Sequence, residues 1–538
     1  MNNSLSQFFS ADIKSKEILT DLYSGRSVVE NSIDYIVPDY IPDADKVLIC
    51  TAVPKIEGKY INGSTVEIEG TVTFNILLAT EDNTLSNLCY SEPFDSKAIV
   101  DGLSDECIIM TVPSMEYVTA RLVNPRKVNL RYQVNTDIKV YCPVLLEPKI
   151  NGVVSIEDEM NLQKNYKTVR SVDISSHEEK GIKAYQDIEL DGSYPQAEEI
   201  ILCKAKLLPN EIKANENGVE VKTDAVVTLI YRTDNGNYFC ADKKFLLSKT
   251  LNVSNTDYEW LARANSNDIS SKISPNSYGE MKIIELDFAY DLELFGIKNK
   301  ETETVSDLYS TEYECCSETS QKKSIVFKRC FSSNISVNSA SPRADIKAEN
   351  VKNIFTGTVK LNNVTASYSK EKNKLITEGV AEVALVCENN ILIENEELFS
   401  AFSYEYPFKC ETDATDDLSD SKFAVECCAW DTKFRADSNN LYSDFEVSIK
   451  VNATQPNEID YISSAKLDKD TPVKCERAPI TLCYPSGKET LWEIAKNYKV
   501  TVESIIEANN LLNEDVSAKK VLLIPKTASK HPLFSKII

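Results

Sequence analysis

The sequence predicts a mainly β protein, in which three tandem antiparallel repeats, each sandwich-like or an open barrel, precede a small strand–helix–helix–strand module. Residues 66–78 alternate apolar and polar side chains, the pattern of a half-buried strand. The same alternation returns at residues 219–231 and 375–387. The apolar spacing of residues 490–498 is instead helical. These observations favour three diverged copies of one β-domain followed by a module of a different kind.

At 538 residues the chain is too long for a single core. Its 42% hydrophobic and 26% charged residues are ordinary for folded domains. The predicted units are an N-terminal extension at 1–24, repeats at 25–165, 166–310 and 311–454, a linker at 455–479, the terminal module at 480–527 and a tail at 528–538.

The segments that flank the repeats carry weaker signals. Ile18, Leu19 and Leu22 give the N-terminal extension a weak helical pattern. The predicted linker contains Pro456 and Pro472 with mixed charges and no apolar periodicity. We therefore expect the terminal module to sit at a variable distance from the repeats.

Each repeat contains a second group of alternating strand residues after its central strand. These groups lie at residues 130–140, 284–294 and 441–451. Short alternating strands without long helices between them predict antiparallel sheets that pack as a sandwich or open barrel.

The formal net charge is -24, which disfavours nucleic acid or an anionic membrane surface as the main partner. Residues 1–16 have neither the basic start nor the apolar run of a signal peptide, and no later segment reaches about 18 uninterrupted apolar residues. The expectation is a cytoplasmic protein with no direct membrane insertion.

The fifteen cysteines include no C-x-x-C pair. Cys50 and Cys203 each end an apolar run, as buried reduced thiols do. We expect structural thiols, with disulfide cross-linking in a late, oxidised assembly as the alternative.

Catalysis is not predicted. The two histidines, His177 and His531, have no neighbouring triad pattern and exclude a metal site built on histidine pairs. No catalytic residue, metal or cofactor is expected.

The segment Ala120-Arg121-Leu122-Val123-Asn124-Pro125-Arg126-Lys127-Val128 resembles the SPOCS (DUF3794) repeat of sporulation proteins, as does the Pro-Asp-rich segment at 37–43. The resemblance makes Arg121, Asn124, Pro125, Arg126 and Lys127 a candidate site. Their role is either structural, through pairing with loop carbonyls or carboxylates, or a partner contact. Copy two has only Ser274-Pro275-Asn276 at this place and copy three only residues 435–440, Arg-Ala-Asp-Ser-Asn-Asn, so this site would belong to the first repeat.

The terminal module begins its first helix with a capping box from Thr490 to Glu493. With Ala508-Asn509-Asn510-Leu511 and the closing Leu523-Ile524-Pro525, it resembles a LysM domain, a βααβ fold that commonly binds N-acetylglucosamine glycans such as peptidoglycan. The residues that would line the groove are Gly487, Glu489, Thr490 and Leu491 on one side and Asn510, Leu511 and Leu512 on the other. The usual Gly-Asp-Thr is one residue longer here, Gly487-Lys488-Glu489-Thr490. Glycan binding, a protein contact in the same groove and a purely structural module remain open.

Three SPOCS-like repeats before one LysM domain resemble the architecture of SipL-like sporulation proteins. That resemblance implies a non-enzymatic protein of the mother-cell cytoplasm that helps assemble the spore coat at the forespore surface. Its implied partner is the coat morphogenetic ATPase, stage IV sporulation protein A. The alternative is a peptidoglycan-binding cell wall or cortex protein.

Overall fold

The computed structural model describes residues 17–151, 161–254, 257–390, 398–473, 480–486, 489–511 and 520–526. The described chain is almost entirely antiparallel strand, with two short helices near its end. Neither helix has the length and apolar content of a membrane span.

Each repeat is built on two antiparallel sheets of three strands, and in repeat 3 a short strand at Lys149–Ile150 adds a fourth, parallel member to one of them. We call the sheet of three consecutive strands the meander sheet and the other, which joins the first strand to the last two, the closing sheet. Repeat 1 contains β1 (Glu17–Ile36), β2 (Ala44–Asn62), β3 (Thr65–Thr80), β4 (Leu85–Ile99), β5 (Ile108–Asn124) and β6 (Lys127–Leu145), and is followed by the short β7 (Lys149–Ile150). Repeat 2 contains β8 (Leu162–Glu189), β9 (Glu199–Asn215), β10 (Gly218–Arg232), β11 (Tyr238–Leu251), β12 (Glu259–Pro275) and β13 (Met281–Ser310). Repeat 3 contains β14 (Tyr313–Pro342), β15 (Val351–Ser369), β16 (Lys374–Asn389), β17 (Phe399–Asp413), β18 (Lys422–Ala436) and β19 (Asn440–Pro472).

The repeated stretches occupy equivalent places in the three copies. Residues 66–78, 219–231 and 375–387 lie in β3, β10 and β16, the central strands of the meander sheets. The second strand groups lie in β6, β13 and β19, the central strands of the closing sheets. The prediction of three antiparallel, sandwich-like β repeats is therefore confirmed.

The two sheets of a repeat bury their alternating apolar residues against each other. In repeat 1, Phe74 of the meander sheet meets Tyr132 of the closing sheet edge-to-face at 5.0 Å between ring centroids. Both side chains are completely buried, and burial of each aromatic side chain stabilises the fold by roughly 1.5–3 kcal/mol.

The three meander sheets form a closed ring. The third strand of each sheet contacts the first strand of the next, so that β4 meets β9, β11 meets β15 and β17 meets β2. Leu77, Ile230 and Val386, at equivalent positions of β3, β10 and β16, are buried in one cluster that draws on all three repeats. The chain therefore folds as a single-chain pseudo-trimer.

Three lysines reinforce the ring in the same direction. Lys55 of repeat 1 contacts Asn267 and Asp291 of repeat 2, each at 2.7 Å. Lys206 of repeat 2 donates to a main-chain carbonyl of repeat 3 at 2.5 Å. Lys360 of repeat 3 donates to a main-chain carbonyl of repeat 1. Each repeat thus reaches from its meander sheet to the closing sheet of the next.

Four strands extend beyond the sandwiches as a stalk, which we define as residues 162–170, 301–310, 313–320 and 461–472. Here β8 pairs with β13, and β14 pairs with β19. The two pairs bury one apolar cluster between them, formed by Ile150, Val305, Leu308, Ile462, Ala465 and Leu467.

Two predictions about flanking segments are wrong. Residues 455–472, expected in a linker, form the end of β19. Residues 17–24, expected to be weakly helical, open β1. Residues 1–16 and 474–479 and the tail at 528–538 lie outside the described part of the chain.

The cysteines follow the expectation only in part. Burial raises the pKa of Cys50 to about 12 and that of Cys203 to about 11, so both thiols stay protonated, as expected. Cys107 and Cys142, however, form a disulfide. The β5–β6 register sets them opposite each other, because Ile108 pairs with Tyr141.

Candidate functional site

The terminal module is built on a two-stranded ladder, β20 (Ile480–Cys483) and β21 (Leu522–Pro525), with helices α1 (Leu491–Tyr498) and α2 (Val502–Asn509) between the strands. The strands are antiparallel, and Cys483 pairs with Leu522. The loop that enters α1 and the loop that leaves α2 are therefore anchored at the same end of the ladder. The groove between these two loops stays a prediction, because residues 487–488 and 512–519 lie outside the described part of the chain.

The helical spacing explains how the module folds. Leu491, Ile494 and Ala495 of α1 and Val502 and Ile505 of α2 are buried in one core with both strands. The helical apolar spacing predicted at residues 490–498 is confirmed by this burial.

Side-chain caps fix the start of each helix. The Thr490 hydroxyl accepts a hydrogen bond from the Glu493 amide at 3.2 Å, and the Glu493 carboxylate accepts one from the Thr490 amide at 2.8 Å. This is the predicted capping box. Thr501 caps α2 in the simpler way, through the Ser504 amide at 3.1 Å.

The end of α2 is held against β21. Asn509 donates to the Leu523 carbonyl and accepts from the Leu523 amide, both at 2.7 Å. Asn510 then adopts the left-handed conformation with φ 50° and ends the helix. Asn510 is therefore presented from a fixed backbone position.

The predicted groove residues play different parts. Glu489 is half-buried and accepts a hydrogen bond from the Ser486 amide at 3.0 Å. Thr490 is exposed, but its hydroxyl already accepts the capping hydrogen bond of α1. Leu491 is only 1% exposed, so it belongs to the core and not to a ligand surface. Asn510 is exposed, and Leu511 is half-buried against the module core. Gly487 and Leu512 lie outside the described residues.

The module is docked on the stalk. Trp492 donates its indole N–H to Asp307 at 2.8 Å, and Lys496 lies 2.7 Å from the same carboxylate. The Trp492 ring packs edge-to-face on Tyr309 at 5.0 Å, and the Tyr309 hydroxyl donates to the Val500 carbonyl at 2.7 Å. The expected variable distance between module and repeats is thus wrong.

The electrostatics of this contact favour an ionised Asp307. Burial acts to raise the pKa of Asp307, but the hydrogen bonds from Lys496 and Trp492 outweigh burial and hold the pKa below its usual value. Burial raises the pKa of Tyr309, so its hydroxyl remains a donor. Both groups are therefore in the protonation state that the docked contact needs at neutral pH.

The residues of the module that contact the stalk differ from those predicted to form the groove. Trp492, Lys496 and Lys499, which contact the stalk, are spaced by four and three residues and so form one stripe along α1. Among the described residues, Glu489 and Asn510 make no hydrogen bond or ion pair with the repeats. The described contacts with the stalk therefore do not involve Glu489 or Asn510.

The loop at residues 124–127 of repeat 1 makes its described side-chain contacts within that repeat. Pro125 and Arg126 form the turn between β5 and β6, and the Asn124 side chain accepts the Arg126 amide at 2.9 Å. The Arg126 guanidinium donates to three carbonyls of the segment at 37–43, at 2.6, 2.9 and 2.8 Å. Lys127 pairs with Asp34 at 2.7 Å, whereas Arg121 is exposed on β5.

Groups with catalytic potential are sparse in the described chain. Ser175 lies 2.9 Å from the His177 ring, a neighbour that the sequence pattern did not indicate. No carboxylate hydrogen-bonds to this imidazole within the described residues, so the pair lacks the orienting acid of a triad. The same residues hold no grouping of three His, Cys, Asp or Glu side chains suited to a metal ion.

A cavity of about 400 Å³ opens at the base of the stalk. Lys167, Arg170 and Lys328 line it together with Glu458 and Asp460. The charges of both signs are solvated strand side chains.

The residues of the contact between module and stalk were not predicted from the sequence. Trp492 breaks the apolar face of α1, and a large aromatic on the polar face of a short helix is a signal for a contact outside the module. Nothing in the sequence pointed to Asp307 or Tyr309 as the other half of that contact.

Comparison with known protein families matches residues 488–525 to the LysM domain. The match covers a small part of the 538-residue chain. No curated protein and no solved structure matches the chain.

Proposed function

We propose that this protein is a non-enzymatic glycan-recognition protein whose LysM module binds N-acetylglucosamine-containing polymers, peptidoglycan above all. The observation that carries the proposal is the LysM match at residues 488–525, in a module whose two groove loops leave the same end of its ladder. The described stalk contacts are made by Trp492, Lys496, Lys499 and Val500, none of which is a predicted groove residue.

The groove offers both polar and apolar contacts to a sugar. The exposed Asn510 carboxamide supplies a donor and an acceptor, which suit the acetamido group of the ligand. The half-buried Leu511 beside it offers apolar surface to the sugar ring. Thr490 shapes the loop and does not offer polar atoms to the sugar, because its hydroxyl, amide and carbonyl all bond within the start of α1.

The test is retention of the full chain on purified insoluble peptidoglycan, with N-acetylglucosamine oligomers as competitors. We expect retention that the oligomers abolish. Asn510→Gly keeps the left-handed cap but removes the carboxamide, so it should weaken retention several-fold. Asn363→Gly is the matched control, since Asn363 is also exposed and left-handed, with φ 53°, but lies in repeat 3. A wild-type chain that peptidoglycan does not retain would refute the proposal.

A second candidate is a role in spore coat assembly, with the protein in the mother-cell cytoplasm and a stage IV sporulation protein A-like ATPase as partner. The observation that favours it is the turn at residues 124–127, which resembles the SPOCS repeat and which Arg126 locks onto the Pro-Asp segment. In this case the groove would contact protein instead of glycan. Capture of the full chain by the ATPase, without retention on peptidoglycan, would favour this candidate over the first.

A further inference from the structure

Charged residues meet where the closing sheets of the three repeats come together. Three residues occupy equivalent positions in the three repeats: Met110, Arg263 and Glu426. The residue after each one pairs with an equivalent buried residue of the central closing strand. These pairs are Thr111 with Ile138, Ala264 with Leu292 and Cys427 with Ile449. The three copies therefore carry an apolar, a basic and an acidic side chain at one place.

Arg263 bonds to both other repeats. Its Nε lies 3.1 Å from each carboxylate oxygen of Glu426 in repeat 3, and Nη2 also contacts this carboxylate. Its Nη1 donates to the Thr111 carbonyl of repeat 1 at 3.2 Å. The guanidinium also lies over the Phe295 ring of its own repeat at 5.1 Å. The side chains of Arg263 and Glu426 are only 22% and 33% exposed.

The partner strands carry a second set of charges. Lys139, Glu293 and Lys450 lie directly opposite Met110, Arg263 and Glu426. Lys450 of repeat 3 donates to the Pro209 carbonyl of repeat 2 at 3.0 Å. Glu293 of repeat 2 pairs with Lys59 of repeat 1 at 3.4 Å.

We propose that the Arg263–Glu426 pair makes the three repeats close on one another in a single order and prevents repeat 1 or repeat 2 of a second copy from taking the place of repeat 3. The three sandwiches share one fold and meet through one kind of interface. A repeat from a second chain could therefore compete with the chain's own repeat for a place in the ring. A second repeat 2 in the place of repeat 3 would set arginine against arginine. A repeat 1 in that place would leave Arg263 mostly buried opposite Met110. Either error leaves a desolvated charge unpaired, which costs far more than the pair gains over apolar residues.

The short connection between repeats 2 and 3 makes exchange feasible. Only Thr311 and Glu312 separate β13 from β14. If this connection straightened, repeat 3 could pass to a neighbouring chain, as in domain-swapped proteins. Because repeat 3 carries Glu426 with it, the pair would then form between the two chains, and such an exchange can report on the pair.

The test uses charge reversal in the full chain, with mass measured by light scattering after refolding. Arg263→Glu and Glu426→Arg should each lower the closed monomer relative to open forms by about 100-fold or more, and exchange between identical copies should not rescue them because it repeats the like-charge contact. The double variant should restore the 60.3 kDa monomer. If a single variant does not fold, recovery of the monomer by the double variant still supports the proposal, and failure of the double variant to recover it overturns the proposal.

Co-refolding the two single variants is the decisive measurement. An exchanged dimer contains one wild-type pair and one reversed pair, so both charges are satisfied. We expect a one-to-one dimer from the mixture that neither variant forms alone. Two single variants that remain monomeric alone and together would refute the proposal. Arg26→Glu with Asp137→Arg is the control, because this bidentate pair is exposed and lies within repeat 1.

Discussion

The contact between the stalk and the LysM module can be tested without altering the module. Tyr309→Phe removes the hydroxyl that satisfies the Val500 carbonyl and changes nothing in residues 480–526. Tyr309 is 1% exposed and Val500 is completely buried, so the carbonyl loses its partner without gaining water. Leaving a buried acceptor unsatisfied costs about 1–3 kcal/mol, which is roughly 5- to 150-fold in the docking equilibrium.

Docking can be followed at Trp492. The chain has three tryptophans, so 5-fluorotryptophan labelling gives a small set of fluorine NMR signals, and Trp492→Phe assigns the relevant one. In the wild type we expect the Trp492 signal to be shielded from solvent by Tyr309 and Asp307. Tyr309→Phe should shift part or all of this signal to the solvent-exposed position.

Tyr231→Phe provides the matched control. Tyr231 is also 1% exposed, and its hydroxyl donates to the Pro195 carbonyl at 3.2 Å, but both residues lie within repeat 2. It should lower the stability of the repeat and leave the Trp492 signal in place. Equal responses of that signal to the two substitutions, or a solvent-exposed signal in the wild type, would refute the docked arrangement.

Three further predictions address the charge, the cap and the packing. The pKa of Asp307 is lowered in the docked state, so the contribution of its charge to docking is complete above about pH 4 and is lost as the pH falls through the lower docked value. The Trp492 signal should therefore shift on acidification, and Asp307→Asn should remove this pH dependence. Thr490→Ala should lower the unfolding free energy of the module by about 1 kcal/mol, measured by denaturant titration of the same signal, whereas Thr490→Ser should not. Gly296→Ala would set a Cβ 2.7 Å from the Trp260 ring and should destabilise the fold by about 1–3 kcal/mol in thermal unfolding, while Gly192→Ala, which meets nothing within 4 Å, should have little effect.

The sandwiches were predictable because one physical rule governs them. A sheet buried on one face alternates apolar and polar residues, and the same alternation at residues 66–78, 219–231 and 375–387 predicted three equivalent central strands. The module was predictable for a similar reason, since the Thr490 capping box is a local signal.

The stalk was hidden because its sequence departs from a simple period of two. Ile459, Tyr461, Ala465 and Leu467 keep the period, but Ile462, directly after Tyr461, is buried as well, and the ladder shifts register between Glu318 and Thr319. Pro456, which suggested a linker, is tolerated because β18 stops pairing with β19 at Thr454, so that at Pro456 β19 pairs only with β14 among the described strands.

The start of β1 was misassigned for a related reason. Ile18 and Leu19 are adjacent, and both are completely buried, because each face of the strand packs into a different apolar cluster. Two neighbouring buried residues fit a helix better than a half-exposed strand.

Ring closure could not be predicted from the sequence. It depends on single side chains, such as Lys55 and Arg263, that reach another repeat and follow no periodic pattern. Such contacts leave no signal in a single sequence, even though they decide how the domains assemble.

Closure of the ring also affects how the chain can fold while it is being synthesised. Ser324 of repeat 3 donates to the Leu19 carbonyl, a contact between residues 305 positions apart. Until the third copy has left the ribosome, Leu77 and Ile230 lack their last covering neighbour and remain open to unwanted association. We expect translation that stops after the second copy to yield an aggregation-prone fragment, because completion of the native state waits for the end of the polypeptide.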